Sequence, residues 1–243
     1  MILKYTTPLI AVLITSFISM LKNDIEETGS SLHVEKCGNF EVTGKGDNPN
    51  WNKVDWIAMN PLDNSKDAYL TKFKILYSSK GIYVLAFCED KLISTQYTQD
   101  QGDIWEGDVF EVFLQTDPAN PLYFEYEINP LNTELAILVP NNNGDFFGWS
   151  PWHYEGERKV TKAVQIDGGK AATGEKVRSW TAEMFFPFAL FKGLKNAPPQ
   201  SGTIWKGNFY RMDYDGGARK SWGWQPVEIN FHEYKKYGDI IFE

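Results

Sequence analysis

The chain has 243 residues, 42% hydrophobic and 23% charged, a globular composition that excludes wholesale disorder and fits one large domain or two small ones. Lys and Arg number 24 against 32 Asp and Glu, a net charge of -8 with no basic stripe, which argues against nucleic acid as a partner. Two cysteines exclude a four-thiolate zinc site and a disulfide-rich scaffold, while nine tryptophans leave flat rings available beyond those a core consumes.

Residues 9–21 form an apolar run of about 13 residues behind Lys4, shorter than the roughly 20 that a membrane-spanning helix needs. The pattern predicts a secretory signal or an uncleaved N-terminal anchor over 1–21, with a buried or amphipathic helix as the structural alternative. The chain is therefore expected to be secreted or periplasmic, with no membrane insertion beyond that anchor. Residues 22–37 read as a polar linker. Export would permit a disulfide between Cys37 and Cys88, worth about 4 kcal/mol in the chain-entropy model, although two buried free thiols are the expected state.

From residue 38 onward, short apolar segments alternate with turn chemistry. Segments 72–77 and 82–88 flank Ser78-Ser79-Lys80-Gly81 and predict a hairpin. The second is apolar on both faces, which places it mid-sheet. Further strands are predicted at 109–114, 123–129, 134–139, 159–166, 179–185, 207–214 and 239–242. Residues 187–194 suggest one short helix, and 141–144 and 197–202 are loops by composition. Many strands without alternating helices predict an all-β fold, a single β-sandwich of jelly-roll or Ig-like kind over 38–243.

Alternation along these strands groups the polar residues. Glu111 shares a strand face with Val109 and Phe113; Glu125, Glu127 and Asn129 share another; Arg211 shares a third with Phe209 and Asp213. If these faces meet, they form an acidic concave surface with one arginine, fit to bond sugar hydroxyls beneath a stacking ring such as Trp105. The structural alternative is a packed Trp105 and a buried Glu111–Arg211 ion pair. Residues 146–154 are the densest aromatic run. They either extend a sugar platform or fold over one end of the sandwich, with His153 hydrogen-bonded among them. Asp47, Asp63, Asp67, Asp213 and Asp215 are calcium candidates without EF-hand spacing.

The order of motifs resembles family 9 carbohydrate-binding modules. Those motifs are Gly46-Asp47-Asn48-Pro49-Asn50-Trp51-Asn52-Lys53-Val54, residues 73–90, Ile104-Trp105-Glu106-Gly107-Asp108-Val109-Phe110-Glu111-Val112-Phe113, and 234–242 with Tyr237-Gly238. The resemblance implies a β-sandwich that grips sugar chain ends between two tryptophans, often beside a polysaccharide-degrading enzyme, and in some members holds structural calcium. It implies an oligo- or polysaccharide ligand, a role in carbohydrate catabolism and a possible partner glycoside hydrolase. Carried over by position, it assigns stacking to Trp105 and sugar hydrogen bonds to Glu111 and Asn129. The family's arginine two positions before that asparagine is Glu127 here, and Arg211 is the arginine that would stand in. The second stacking position falls on Phe231, with Asn230 and His232 at its rim and Trp222 or Trp224 as substitutes. Two other functions stay open at this point. One is a glycoside-active enzyme using Glu111 with Glu125 or Glu127. The other is a haem carrier with Met212 and His232 as axial ligands.

Overall fold

The computed structural model describes residues 30–63, 65, 68–152 and 154–243. The expected leader, Asp67 and His153 lie outside the described residues. The strands in chain order are β1 (Ser31–Val34), β2 (Ile57–Ala58), β3 (Asn60–Pro61), β4 (Thr71–Tyr77), β5 (Gly81–Glu89), β6 (Val109–Gln115), β7 (Leu122–Ile128) and β8 (Glu134–Asn142). They continue as β9 (Asp145–Phe146), β10 (Ser150–Pro151), β11 (Thr161–Asp167), β12 (Ser179–Pro187), β13 (Ile204–Asp213), β14 (Lys220–Gly223) and β15 (Gly238–Phe242). Helix occurs among the described residues only as short 3-10 turns, so the chain is all-β.

Two sheets form the sandwich. The larger runs β1-β15-β13-β6-β7-β8-β10, with β14 and β3 continuing from β13 and β9 from β8; the smaller runs β11-β12-β5-β4-β2. Between them lies the main core: Phe110, Val112, Leu114, Phe124, Tyr126 and Phe209 from the larger sheet meet Phe73, Ile75, Val84, Trp180 and Met184 from the smaller. Each such ring or branched chain, fully buried, contributes about 1.5–3 kcal/mol. The outer faces are covered as well. Trp51, Leu76, Tyr83 and Leu85 pack outside the small sheet, and Val109, Phe113, Tyr123, Tyr210 and Tyr237 outside the large one. Burial on both faces is why β5 reads as an unbroken apolar run.

The predicted hairpin is β4–β5, in register Tyr77↔Ile82. Residues 31–37, expected in the linker, belong to the sandwich. Here β1 lies parallel to β15, and Cys37 N donates to the Tyr77 carbonyl at 2.7 Å. This edge pairing joins segments more than 200 residues apart, and no local pattern encodes it. The helix expected at 187–194 is a 3-10 turn, Phe188–Phe191, because the backbone leaves helical geometry at Lys192 (ψ 123°) and Gly193 takes positive φ (99°). Cys37 and Cys88 are buried free thiols, and burial pushes the Cys88 thiol up to about 12.

Candidate functional site

The site grows out of the outer face of the large sheet. In β6 and β7, Glu111 stands opposite Glu127 and Phe113 opposite Glu125, so all three carboxyls share one face. The register of β13 places Tyr210 opposite Glu111, which brings Tyr210 and Met212 to that same face. Above this floor lies a hollow of about 470 Å³, within the size range of sites for small ligands.

Its walls are aromatic. Trp105 sits on the turn Ile104–Glu106, anchored by buried Ile104 and by the Tyr214 hydroxyl, which donates to the Trp105 carbonyl at 3.0 Å. The Trp149 ring meets it edge-on at 6.3 Å. On the other side Phe231 stacks on Tyr210, with centroids 4.0 Å apart and planes 3° from parallel. The Phe231 carbonyl accepts from the Tyr210 and Tyr237 hydroxyls at 3.1 and 2.9 Å, which fastens the loop. His232 packs on Phe146 at 4.4 Å, and its Nδ1 meets the Tyr123 hydroxyl at 2.7 Å. Burial holds this imidazole down at about 4, so it is neutral at pH 7.

Burial and mutual repulsion govern the floor. Glu111 is raised well above the ordinary glutamate value by desolvation and then by Glu125, with Arg219 pulling it back. Glu125 is raised by desolvation to about 8. Glu127 is raised well above the ordinary value by desolvation and then by Glu111 and Glu125. Glu125 Oε2 and Glu127 Oε2 are buried with no donor to bond. These two carboxyls turn to one another, and one proton between them relieves the conflict.

Trp105, Glu111 and Phe231 all line the hollow. Four other expected residues do not. Arg211 is on the inner face of β13 with 0% exposure; it donates to Thr71 Oγ1, the Glu89 carbonyl, Asp90 and Asp213, and makes no pair with Glu111. The cause is register: Arg211 pairs with Phe110, an inward residue, so odd positions of β13 face away from Glu111. Trp222, opposite Arg211, is 1% exposed and lies against that guanidinium at 4.9 Å. Trp224 packs edge-on against Phe73 and Phe209 in the core. A Cβ at Gly238 would lie 2.5 Å from the Trp224 ring, so the Tyr237-Gly238 motif serves this packing. Asn129 just follows β7 and is a turn clamp, its Oδ1 accepting from Leu131 and Thr133 N–H and its Nδ2 donating to the Tyr97 carbonyl.

The aromatic run at 146–154 divides between its two expected roles. Phe146 and Trp149 are exposed and line the hollow. Trp152 instead donates its indole N–H to the Leu190 carbonyl at 2.5 Å and packs on the core. Arg219 also lines the hollow and was not anticipated from the sequence. The start of the aromatic run carries a local signal: Asn143-Gly144, both at positive φ (57° and 99°), form the two-residue tip of the β8–β9 hairpin that carries Phe146. Arg219 follows the two positive-φ glycines Gly216 and Gly217 in an irregular turn, and no pattern of spacing marks it.

Among the described residues, Asp90, Asp213 and Asp215 form a potential cation cluster. Their oxygens are already taken by the Trp180 indole, Arg211, the Tyr69 and Ser94 hydroxyls and backbone N–H groups. This set fits a guanidinium rather than calcium. Asp47 accepts from the Thr43 hydroxyl and Asp63 from Ser65 N–H, both as exposed turn residues. Met212 and His232 both line the hollow, yet three glutamates make a poor seat for a porphyrin that brings its own carboxylates.

The comparisons with known proteins agree with this architecture. An extracellular protein of Arthroderma benhamiae is 26% identical over 183 residues, 71% of this chain and 78% of its own length. A crystal structure from Bacteroides uniformis, whose own carbohydrate binding is an inference, superposes with a TM-score of 0.69 at 20% identity over 89% of this chain and all of that one. A family 9 carbohydrate-binding module from Caldicellulosiruptor kristjanssonii, solved with cellotriose, superposes with a TM-score of 0.64 at 15% identity over 88% of this chain and 94% of that one. The profile described as carbohydrate family 9 binding domain-like matches residues 42–242, and the chain belongs to that family.

Proposed function

We propose that the chain is an exported, non-catalytic binding domain that holds an oligo- or polysaccharide unit in this hollow, in support of polysaccharide use beside a partner glycoside hydrolase. The observation that carries the reading is the hollow itself, lined by the aromatic rings of Trp105, Trp149 and Phe231 together with the carboxyls of Glu111, Glu125 and Glu127. Sugar C–H faces cover rings, while carboxyls accept from hydroxyls in bidentate fashion. Arg219 at the mouth adds the donor that family members place elsewhere. The cellotriose bound by one structural relative supports an oligosaccharide as the class of ligand. Export rests on the apolar run at 9–21 and on the extracellular description of the Arthroderma relative. A glycan array probed with the wild-type chain and with Trp105→Ala tests the reading. Binding by the first and not the second supports it; equal binding by both overturns it.

A further inference from the structure

The floor of the hollow carries more negative chemistry than a neutral sugar requires. Glu111, Glu125 and Glu127 are 2%, 5% and 2% exposed, on one face of two paired strands. Glu125 Oε2 and Glu127 Oε2 end inside the protein with no hydrogen-bond partner, although both residues line the opening. A buried carboxylate oxygen that no donor group reaches is costly to keep, and in the empty hollow this floor relieves two of them only by holding a proton between Glu125 and Glu127. Among the described residues, Arg219 is the one Lys or Arg that lines the hollow. Arg219 is exposed at the mouth and acts on Glu111. His232 Nδ1 lies 3.8 Å from Glu125 Oε2 but is engaged with the Tyr123 hydroxyl.

The other groups facing the floor do not correct the imbalance. Asp103 adds further negative field at Glu127, and Glu228 lines the mouth. The phenols of Tyr123, Tyr210 and Tyr237 are all raised by burial and stay neutral. The rings of Trp105, Trp149 and Phe231 line the same hollow, and an aromatic face attracts a cation as well as a sugar C–H face. A bare metal ion would use the carboxyls and leave those rings uncovered.

Building on the sugar-binding reading above, we propose that the hollow takes a sugar bearing a free protonated amine, a 2-amino-2-deoxyhexose unit, with its ammonium on Glu125 and Glu127 and its ring between the aromatic walls. An ammonium has three donors and no acceptor, which matches two orphaned oxygens and a third carboxyl at Glu111. Acetylation removes both the charge and two of those donors, so the N-acetylated sugar loses the match.

Titration calorimetry with three β-1,4-linked trimers tests this on the full chain: cellotriose, the glucosamine trimer and the N-acetylglucosamine trimer. The glucosamine trimer should bind about ten-fold tighter than cellotriose at pH 6.5, and the acetylated trimer no tighter than cellotriose. Repeating the titration in buffers of different ionisation heat should reveal release of about one proton with the amine and none with cellotriose, because Glu125 is protonated in the empty hollow. The double variant Glu125→Gln/Glu127→Gln should collapse the ratio between amine and cellotriose affinities. Cellotriose binding as tightly as the amine, or a ratio that survives in the double variant, overturns the proposal and leaves the sugar-binding reading standing. Binding of none of the three trimers removes both.

Discussion

The two faces of the large sheet each bury a group of acidic side chains, and they treat that charge in opposite ways. On the inner face, Asp90 and Asp213 lie against Arg211, whose NH1 and NH2 both donate. On the outer face of the same strands, Glu111, Glu125 and Glu127 meet no buried Lys or Arg among the described residues, and two of their oxygens have no donor there. The first group is paired within the fold, Arg211 bonding both aspartates although its Nε finds no acceptor, and works as an internal fastening between the sheets. The second is left incomplete by the fold and sits at an opening, where a ligand can supply what is missing. Buried charge alone therefore does not identify a site; unsatisfied buried charge at a hollow does.

Breaking the inner group should have the largest effect. Arg211→Met keeps volume but strands two aspartates, and removing one partner of a buried pair costs about 3–5 kcal/mol. A melting temperature lower by roughly 10 °C is expected, read by calorimetry. Trp105→Ala addresses the outer face and should instead reduce sugar affinity by about 2 kcal/mol or more, with little change in melting. A fall in melting as large as that of Arg211→Met would make Trp105 a core residue.

The pH dependence of stability sharpens the same contrast. An acid raised on folding stabilises fully below its unfolded value and loses that contribution as pH climbs through its folded value. Glu125 at about 8 and Asp108 at about 7 therefore weaken the fold between pH 6.5 and 8, with Glu111 and Glu127 acting in the same direction. His232, lowered to about 4, acts oppositely but only below its unfolded value near 6.5. The melting temperature of the ligand-free protein should fall from pH 6.5 to 8. Glu125→Gln should flatten that slope and raise melting at pH 8 by about 2–4 °C per kcal/mol relieved. The smallest effect belongs to Phe231. Phe231→Ala should cost about 1 kcal/mol of sugar affinity and Phe231→Trp should raise affinity, both read by titration.

The contrast also explains what the sequence made legible. Alternation within one strand is local, so the shared face of Glu125 and Glu127 and the inward set Phe110, Val112 and Leu114 could be read directly. Phase between strands distant in sequence is not local. Pairing of Tyr210, rather than Arg211, with Glu111 moved Arg211 to the inner face, and Trp222 followed because it pairs with Arg211. The family order of motifs marked Trp105, Glu111 and Phe231, three residues on elements that border the hollow. Asn129 fell one residue past the end of β7, where the chain needs a side chain to hold its turn. Arg219 comes from an irregular loop whose approach to the floor depends on the complete fold.

A crystal structure of the chain with a bound trisaccharide tests the central claim most directly. The account predicts a sugar ring between Trp105 and Phe231, with hydroxyl or amine groups within hydrogen-bonding distance of Glu111, Glu125 or Glu127 and no contact to Arg211, Trp222 or Trp224. A ring seated elsewhere, such as the second hollow beside Trp152 and Tyr154, would contradict it.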